Sequence, residues 1–158
     1  MTDTVASTVR VRRAERADVP AIVRLLADDV LGATRELVGE PLAPVYWDAF
    51  DAMTRQPGNE YLVAELDGGI VGCLQLTIIA GISRAGLTRA QLEGVRVSAA
   101  YRGHKIGEQL VRAAVERARE HGCRLVQLTT DRSRVDAQRF YDRLGFVSSH
   151  VGMKLTLE

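Results

Sequence analysis

Two β-rich runs, "EYLVAEL" at residues 60–66 and "IVGCLQLTII" at residues 70–79, are separated by a turn built on Asp67 and Gly68. Asp-Gly accepts the positive φ values of a tight hairpin turn, so the pair predicts antiparallel strands. The rest of the chain must then cover a sheet. Upstream, "TVRVRRAERADVPAIVRLLADDV" opens with alternation at Val9 and Val11. Asp18 is placed to N-cap a helix that carries Pro20 early and shows Val19, Ile22, Val23, Leu26 and Val30 on one face. A Gly- and Pro-containing stretch, residues 32–44, leads to a second helix with Tyr46, Trp47, Phe50 and Met53 at helical spacing, a stripe that ordinary packing explains.

Downstream, "AQLEGVRVS" predicts a further strand, followed by a helix running to about His121. Ile106, Leu110, Ala114 and Ala118, joined by Val111 and Val115, form its apolar stripe, and Gly122 is placed to end it. "RLVQLTT" reads as a strand, "SRVDAQRFYDRL" as a helix stopped by Gly145, and "FVSSHVGMKLTL" as one last strand or a bent pair. The order β-α-α-β-β-β-α-β-α-β predicts an α/β sandwich that mixes a hairpin with strand-helix-strand units. At 158 residues, 46% of them hydrophobic, residues 1–158 are expected to form a single domain.

A turn with unusual chemistry lies inside "VRVSAAYRGHKIGEQLV", residues 95–111, where a strand hands over to a helix. A helix N-terminus offers unpaired N–H groups and partial positive charge, so a turn there holds phosphate if its backbone can be approached closely. Gly103 and Gly107 lack Cβ atoms at this place, and Arg102, His104 and Lys105 add positive or hydrogen-bonding groups. These residues alone leave two readings open: an anion cradle, or a plain turn whose glycines relieve crowding. Neither the G-x-x-x-x-G-K-[ST] nucleotide loop nor the G-x-G-x-x-G dinucleotide fingerprint is present.

The segment resembles the pyrophosphate-binding motif of the GNAT superfamily, the N-acetyltransferases that use acetyl-CoA. That motif is written [QR]-x-x-G-x-[GA] after a strand ending in V-x-V. Val95-Arg96-Val97 matches the strand end, Arg102 the first motif position and Gly107 the last, while Lys105 stands where the family usually has glycine. "DAQRFYDRLGF", from Asp136 to Phe146, resembles a second GNAT signature, in which an alanine and an aromatic pair on the fourth helix lie against CoA and a Gly-Phe follows. Ala137, Phe140, Tyr141, Gly145 and Phe146 match it, and "ADVPAIVRLL" and the element order match as well. The resemblance implies the GNAT acyl-CoA N-acyltransferase fold, α/β, with a central mixed and mostly antiparallel sheet flanked by helices. It also implies direct transfer from acetyl-CoA, used as co-substrate, to a primary amine of a small molecule or peptide, without a metal. A catalytically silent acyl-CoA sensor or partner module of the same fold is the alternative.

The resemblance assigns roles residue by residue. Arg102, Gly103, His104, Lys105, Ile106 and Gly107 are expected around the pyrophosphate. Val95, Arg96 and Val97, on a strand that splays from its neighbour, are expected to bind the pantetheine arm and the acetyl carbonyl. Ala137, Phe140 and Tyr141 are expected against CoA. Acetyl transfer needs a neutral amine, a stabilised oxyanion and a proton for the departing thiolate. Glu93, two residues before Val95, alternates onto the same side of the strand and matches a position where many members carry an acidic base. It is the candidate base, with a substrate anchor as the other reading, and its neighbour Gly94 marks a candidate bulge. Tyr141 is the candidate acid, with simple packing as the other reading.

The remaining features bound the partners. A balance of 21 Lys plus Arg against 20 Asp plus Glu gives a formal net charge of +1, so no nucleic-acid partner is expected. Cys73 and Cys123 sit in or beside apolar runs without metal or CxxC spacing and read as reduced thiols. His104, His121 and His150 suggest no metal. Arg84 and Arg89 read as solvated loop charges in preference to cleft residues. The absence of a signal-like or membrane-spanning apolar stretch predicts a cytoplasmic protein with no membrane partner, and a homodimer is left open.

Overall fold

The computed structural model describes residues 8–157. Its elements are β1 (Arg10–Arg13), α1 (Val19–Ala27), α2 (Pro44–Thr54), β2 (Asn59–Leu66), β3 (Gly69–Ile79), β4 (Arg89–Val97), α3 (Ile106–Glu120), β5 (Leu125–Leu128) and α4 (Val135–Arg143). The strands form one five-stranded sheet in the order β1-β2-β3-β4-β5, antiparallel up to β4 and parallel between β4 and β5. This is the mixed sheet expected. The hairpin turns as the Asp-Gly pair requires: Asp67 has φ 50, Gly68 has φ 78, and Leu66 pairs with Gly69.

Each face of the sheet takes its own helix. Ile106, Leu110, Val111, Ala114 and Ala118 of α3 meet Leu62, Ala64, Leu74, Leu76, Ala90 and Leu92. On the other face Ile22 and Leu25 of α1 meet Val63 and Cys73. Burial of each such leucine or isoleucine stabilises the fold by about 1.5–3 kcal/mol. A Cβ on Gly72 would stand 2.8 Å from Leu110 Cδ1 and 3.1 Å from the Arg96 carbonyl oxygen, so that glycine lets α3 seat on β3. Glu60 is buried; its ion pair with Arg117 joins the sheet to α3, and it also pairs with Arg13 on β1.

Three expectations change. Asp18 precedes α1, but its carboxylate caps no helix N–H; it accepts hydrogen bonds from Arg12 at 2.7 and 3.0 Å and from the Glu15 N–H at 2.7 Å. The stripe on α2 is only half-buried apart from Met53, and the Arg16 guanidinium lies 4.8 Å from the Trp47 ring centre. The last strand is absent. From Val147 to Leu157 the backbone forms no ladder, and Val147, Val151, Met153, Leu155 and Leu157 are 75–93% exposed. Alternation makes a strand only where a neighbouring edge supplies hydrogen bonds, and the backbone N–H bond formed within this stretch runs from Ser149 to Val147.

Both cysteines are free, and burial pushes the Cys73 thiol up to about 12 and raises that of Cys123. Among the described residues no helix is long and apolar enough to cross a membrane.

Candidate active site

The site begins where β4 loses a neighbour. β5 pairs with Arg89–Leu92 and stops, while β3 goes on pairing up to Val97. A seam therefore opens beside Glu93–Val97. The Ser98 N–H donates to the Val71 carbonyl on β3 at 2.8 Å. Backbone groups alternate along a strand, so those of Val97 and Val95 point the other way, into the seam.

A bulge sets which side chains face which side. Gln75 pairs with Glu93 and Cys73 with Arg96, so Leu74 alone stands opposite both Gly94 and Val95. Gly94 adopts φ +58, a conformation that glycine reaches at little cost, and a Cβ there would stand 3.0 Å from the Tyr61 hydroxyl. The extra residue breaks the alternation. Ala90, Leu92, Val95 and Val97 all pack with α3, whereas Glu93 is exposed. Glu93 and Val95 consequently lie on opposite faces, which corrects the expectation drawn from period-two spacing. Glu93 instead shares the α1 side with Arg96.

The turn before α3 is shaped for its place. Arg102, Gly103, His104 and Lys105 are exposed, and Ile106 is buried as the first core residue of α3. The backbone N–H groups of residues 105–108 donate to no acceptor among the described residues, and the helix ladder starts with Gln109 donating to the Lys105 carbonyl at 3.0 Å. Gly103 has φ +83 and Lys105 φ +59, so the position where the resemblance expects glycine is left-handed, which a lysine reaches only with strain. A Cβ on Gly107 would stand 3.3 Å from Phe140 Cζ and 3.5 Å from Val97 Cγ2. A side chain there would press on Phe140, so close packing favours glycine. The Arg102 guanidinium turns back to the Asp28 carbonyl at 3.4 Å, and the His104 Nδ1 lies 3.1 Å from the carbonyl of Arg102.

Helix α4 supplies the facing wall. Phe140 and Tyr141 meet edge to face with ring centres 5.1 Å apart, and Tyr141 meets Phe146 in the same way at 5.6 Å. Ala137 is half-buried on the same helix. The Tyr141 phenol makes no hydrogen bond within the described chain, and burial raises its pKa above 10.0 against the opposing pull of Arg96 and Arg134.

The sequence offered no sign of a charged cluster that joins three distant segments at the seam. Asp29, just past α1, pairs with Arg134 at the start of α4 and with Arg96 Nε at 3.2 Å, and it also accepts the Gly32 N–H at 2.6 Å. Burial pushes its carboxyl up, but the Gly32 bond and the two guanidinium groups outweigh this and leave its pKa below 3.8. Beside it, Asp28 accepts the Ala99 N–H at 3.0 Å. Residues 29, 96 and 134 are too far apart for any local pattern to link them. Arg89, at the closed end of β4, is half-buried with an unpaired Nε, and Arg84 is exposed, so neither reaches the seam. A shallow depression lined by Pro20, Arg24, Val38 and Trp47 lies apart from these residues.

The comparisons agree with this architecture. The model of the acetyltransferase (GNAT) family matches residues 24–146, so the chain belongs to that family. The aminoalkylphosphonate N-acetyltransferase of Salmonella typhimurium is 36% identical over 103 residues, which cover 65% of this chain and 66% of that protein. The chain thus matches just under two thirds of that relative's length. A solved protein from Bacillus halodurans C-125, described as a transcriptional regulator, is 47% identical with a TM-score of 0.92, covering 95% of this chain and 100% of that one. A Trypanosoma brucei acetyltransferase is 28% identical with a TM-score of 0.77, covering 95% of this chain and 100% of that one.

Proposed function

We propose that the protein is an acetyl-CoA-dependent N-acetyltransferase that acetylates a primary amine by direct transfer, and that it works in the cytoplasm. The observation that carries this is the seam: Glu93–Val97 lack a β5 partner, and beside them lie an N–H-rich helix start and the Phe140–Tyr141 pair of α4. Residues 102–107 hold the pyrophosphate of the co-substrate, Val95–Val97 take its pantetheine arm, and Ala137 and Phe140 lie against it. Backbone N–H groups in the seam accept the charge that grows on the thioester oxygen, where exclusion of water strengthens them. Membership of the family and the name of the Salmonella relative support a small-molecule amine as acceptor.

The chemistry then needs two proton movements. The amine nitrogen bonds to the acetyl carbon and gives up a proton to Glu93, directly or through water, from the α1 side of β4. The carbon–sulfur bond breaks, and the Tyr141 O–H protonates the thiolate. A phenol with a raised pKa remains protonated at neutral pH, as an acid in this role must.

Thiol release from acetyl-CoA against a panel of amines tests the reading. Saturable release that requires the amine supports it, and CoA binding without release on any amine points to the silent module. Glu93→Gln is expected to lower kcat with little change in the KM for acetyl-CoA. A raised amine KM with unchanged kcat makes Glu93 an anchor.

A further inference from the structure

We propose that Arg96 and Arg134, gathered on Asp29 at the seam, bind an oxyacid group carried by the acceptor, so that the protein acetylates short amines bearing a phosphonate, phosphate or carboxylate. The inference rests on the acetyltransferase reading and adds the class of acceptor. Its basis is an excess of donors. The two guanidinium groups, 21% and 27% exposed, converge on one carboxylate that is 20% exposed. Each guanidinium carries five N–H donors. Among the described residues the Arg134 side chain donates to Asp29 alone, and Arg96 donates to the Val95 carbonyl at 2.9 Å. Arg96 Nε lies within ion-pair distance of Asp29 but is not aligned for a hydrogen bond, and it is buried with no other acceptor. Native structures seldom leave such a donor unused. Asp131 and Arg35 are an exposed pair of opposite sign nearby, and Glu36 and Glu93 add two carboxylates on the Tyr61 side of Arg96.

Position adds to charge. Arg96 shares the α1 side of β4 with Glu93, and Arg134 opens the helix that carries Tyr141. An amine delivered to the seam from the α1 side meets Glu93 at its nitrogen and the two arginines with its remainder. Planar guanidinium groups suit a tetrahedral or planar oxyanion through paired hydrogen bonds. An amine with an acid at the other end fits both.

The test compares 2-aminoethylphosphonate, β-alanine and ethanolamine, which share a two-carbon spacing, on the full chain at saturating acetyl-CoA. The expected result is a kcat/KM at least ~10-fold higher for one or both acids than for ethanolamine, in keeping with charge-assisted hydrogen bonds. The stronger acid separates phosphonate from carboxylate recognition. In Arg96→Gln and Arg134→Gln the ratio of acid to ethanolamine should collapse toward one. That ratio is internal to each sample and does not depend on how much of it is folded. Equal kcat/KM for all three amines in the unaltered protein, or a ratio that survives both substitutions, overturns the proposal. A second arm needs no turnover: methylphosphonate should raise the melting temperature of the CoA-saturated protein more than sodium chloride of equal ionic strength. CoA's own phosphates are then already bound, so the rise reports this site, and no rise overturns the proposal. Acetylation of ethanolamine at the same rate as the acids would sink the arginine site alone, whereas no turnover with a methylphosphonate response would sink the transferase reading alone.

Discussion

From Arg89 to Leu92, β4 is hydrogen-bonded along both edges, to β3 and to β5, whereas from Glu93 to Val97 β3 alone pairs with it. The closed half buries Ala90 and Leu92 almost completely and faces α3 with them. Past the exposed Glu93 the open half is half-buried, carries the glycine bulge, and leaves the backbone of Val95 and Val97 directed into the seam. One strand thus divides its work. Unpaired backbone groups are costly in a core, so they persist only where something else is to be bound. The bulge performs the changeover by turning Val95 and Val97 onto the core side and Arg96 onto the α1 side, which Glu93 already faces.

The largest expected effect breaks the closed half. Leu92 is 1% exposed in the middle of the core, so Leu92→Ala should cost about 3 kcal/mol through lost burial and the cavity left behind. Urea denaturation measures the loss. The folded fraction should keep its KM for acetyl-CoA, and a large shift in that KM would mean that the two halves are not separable.

Next comes the open half. Tyr141→Phe removes one oxygen while keeping the packing against Phe140 and Phe146, so stability should hardly change. If the phenol protonates the thiolate, kcat should fall roughly 10²-fold. A donor with a more acidic leaving thiol should rescue the variant more than the parent. The raised pKa places loss of the phenol proton above pH 10.0, so no alkaline decline due to this group is expected below that point. A fall of less than about twofold in the variant would leave Tyr141 a packing residue.

The junction of the halves should respond more mildly. Gly94→Ala puts a Cβ at φ +58 and within 3.0 Å of the Tyr61 hydroxyl, at a cost of about 1–2 kcal/mol for the left-handed conformation. Calorimetric melting gives the size. If the bulge is what orients Glu93, kcat should drop along with stability. Stability loss with unchanged kcat would separate the bulge from catalysis.

The sequence revealed the closed half more readily than the open one. Alternation and the Asp67-Gly68 turn identify β2, β3 and their pairing, and helical spacing finds α1, α2, α3 and α4, because these patterns reflect burial by near neighbours. Gly94 was legible as a bulge, but its consequence for Glu93 was not, since a shift of face depends on the register with β3. The cluster of Asp29, Arg96 and Arg134 exists only after folding. The stretch 147–157 has the alternation of a strand yet pairs with nothing, which shows that period two reports an opportunity for pairing and not the partner.

The smallest effect concerns Lys105, which stands left-handed at φ +59 just before α3. Lys105→Gly has opposing consequences for stability. Relief of the left-handed conformation gains about 1 kcal/mol, and the greater freedom of glycine in the unfolded chain costs roughly 0.5–1 kcal/mol. The net change should lie within about 0.5 kcal/mol of zero, measured by denaturation. CoA affinity discriminates further. An exposed ammonium beside free N–H groups strengthens phosphate binding only through a screened charge, so the variant should bind CoA at most a few-fold more weakly, with a shallower dependence on salt. Its side chain would then compensate for the glycine that the family usually has at this position. Equal affinity with an equal salt slope would show that Lys105 points to solvent, and that the open turn between Gly103 and Gly107 holds phosphate by its backbone alone.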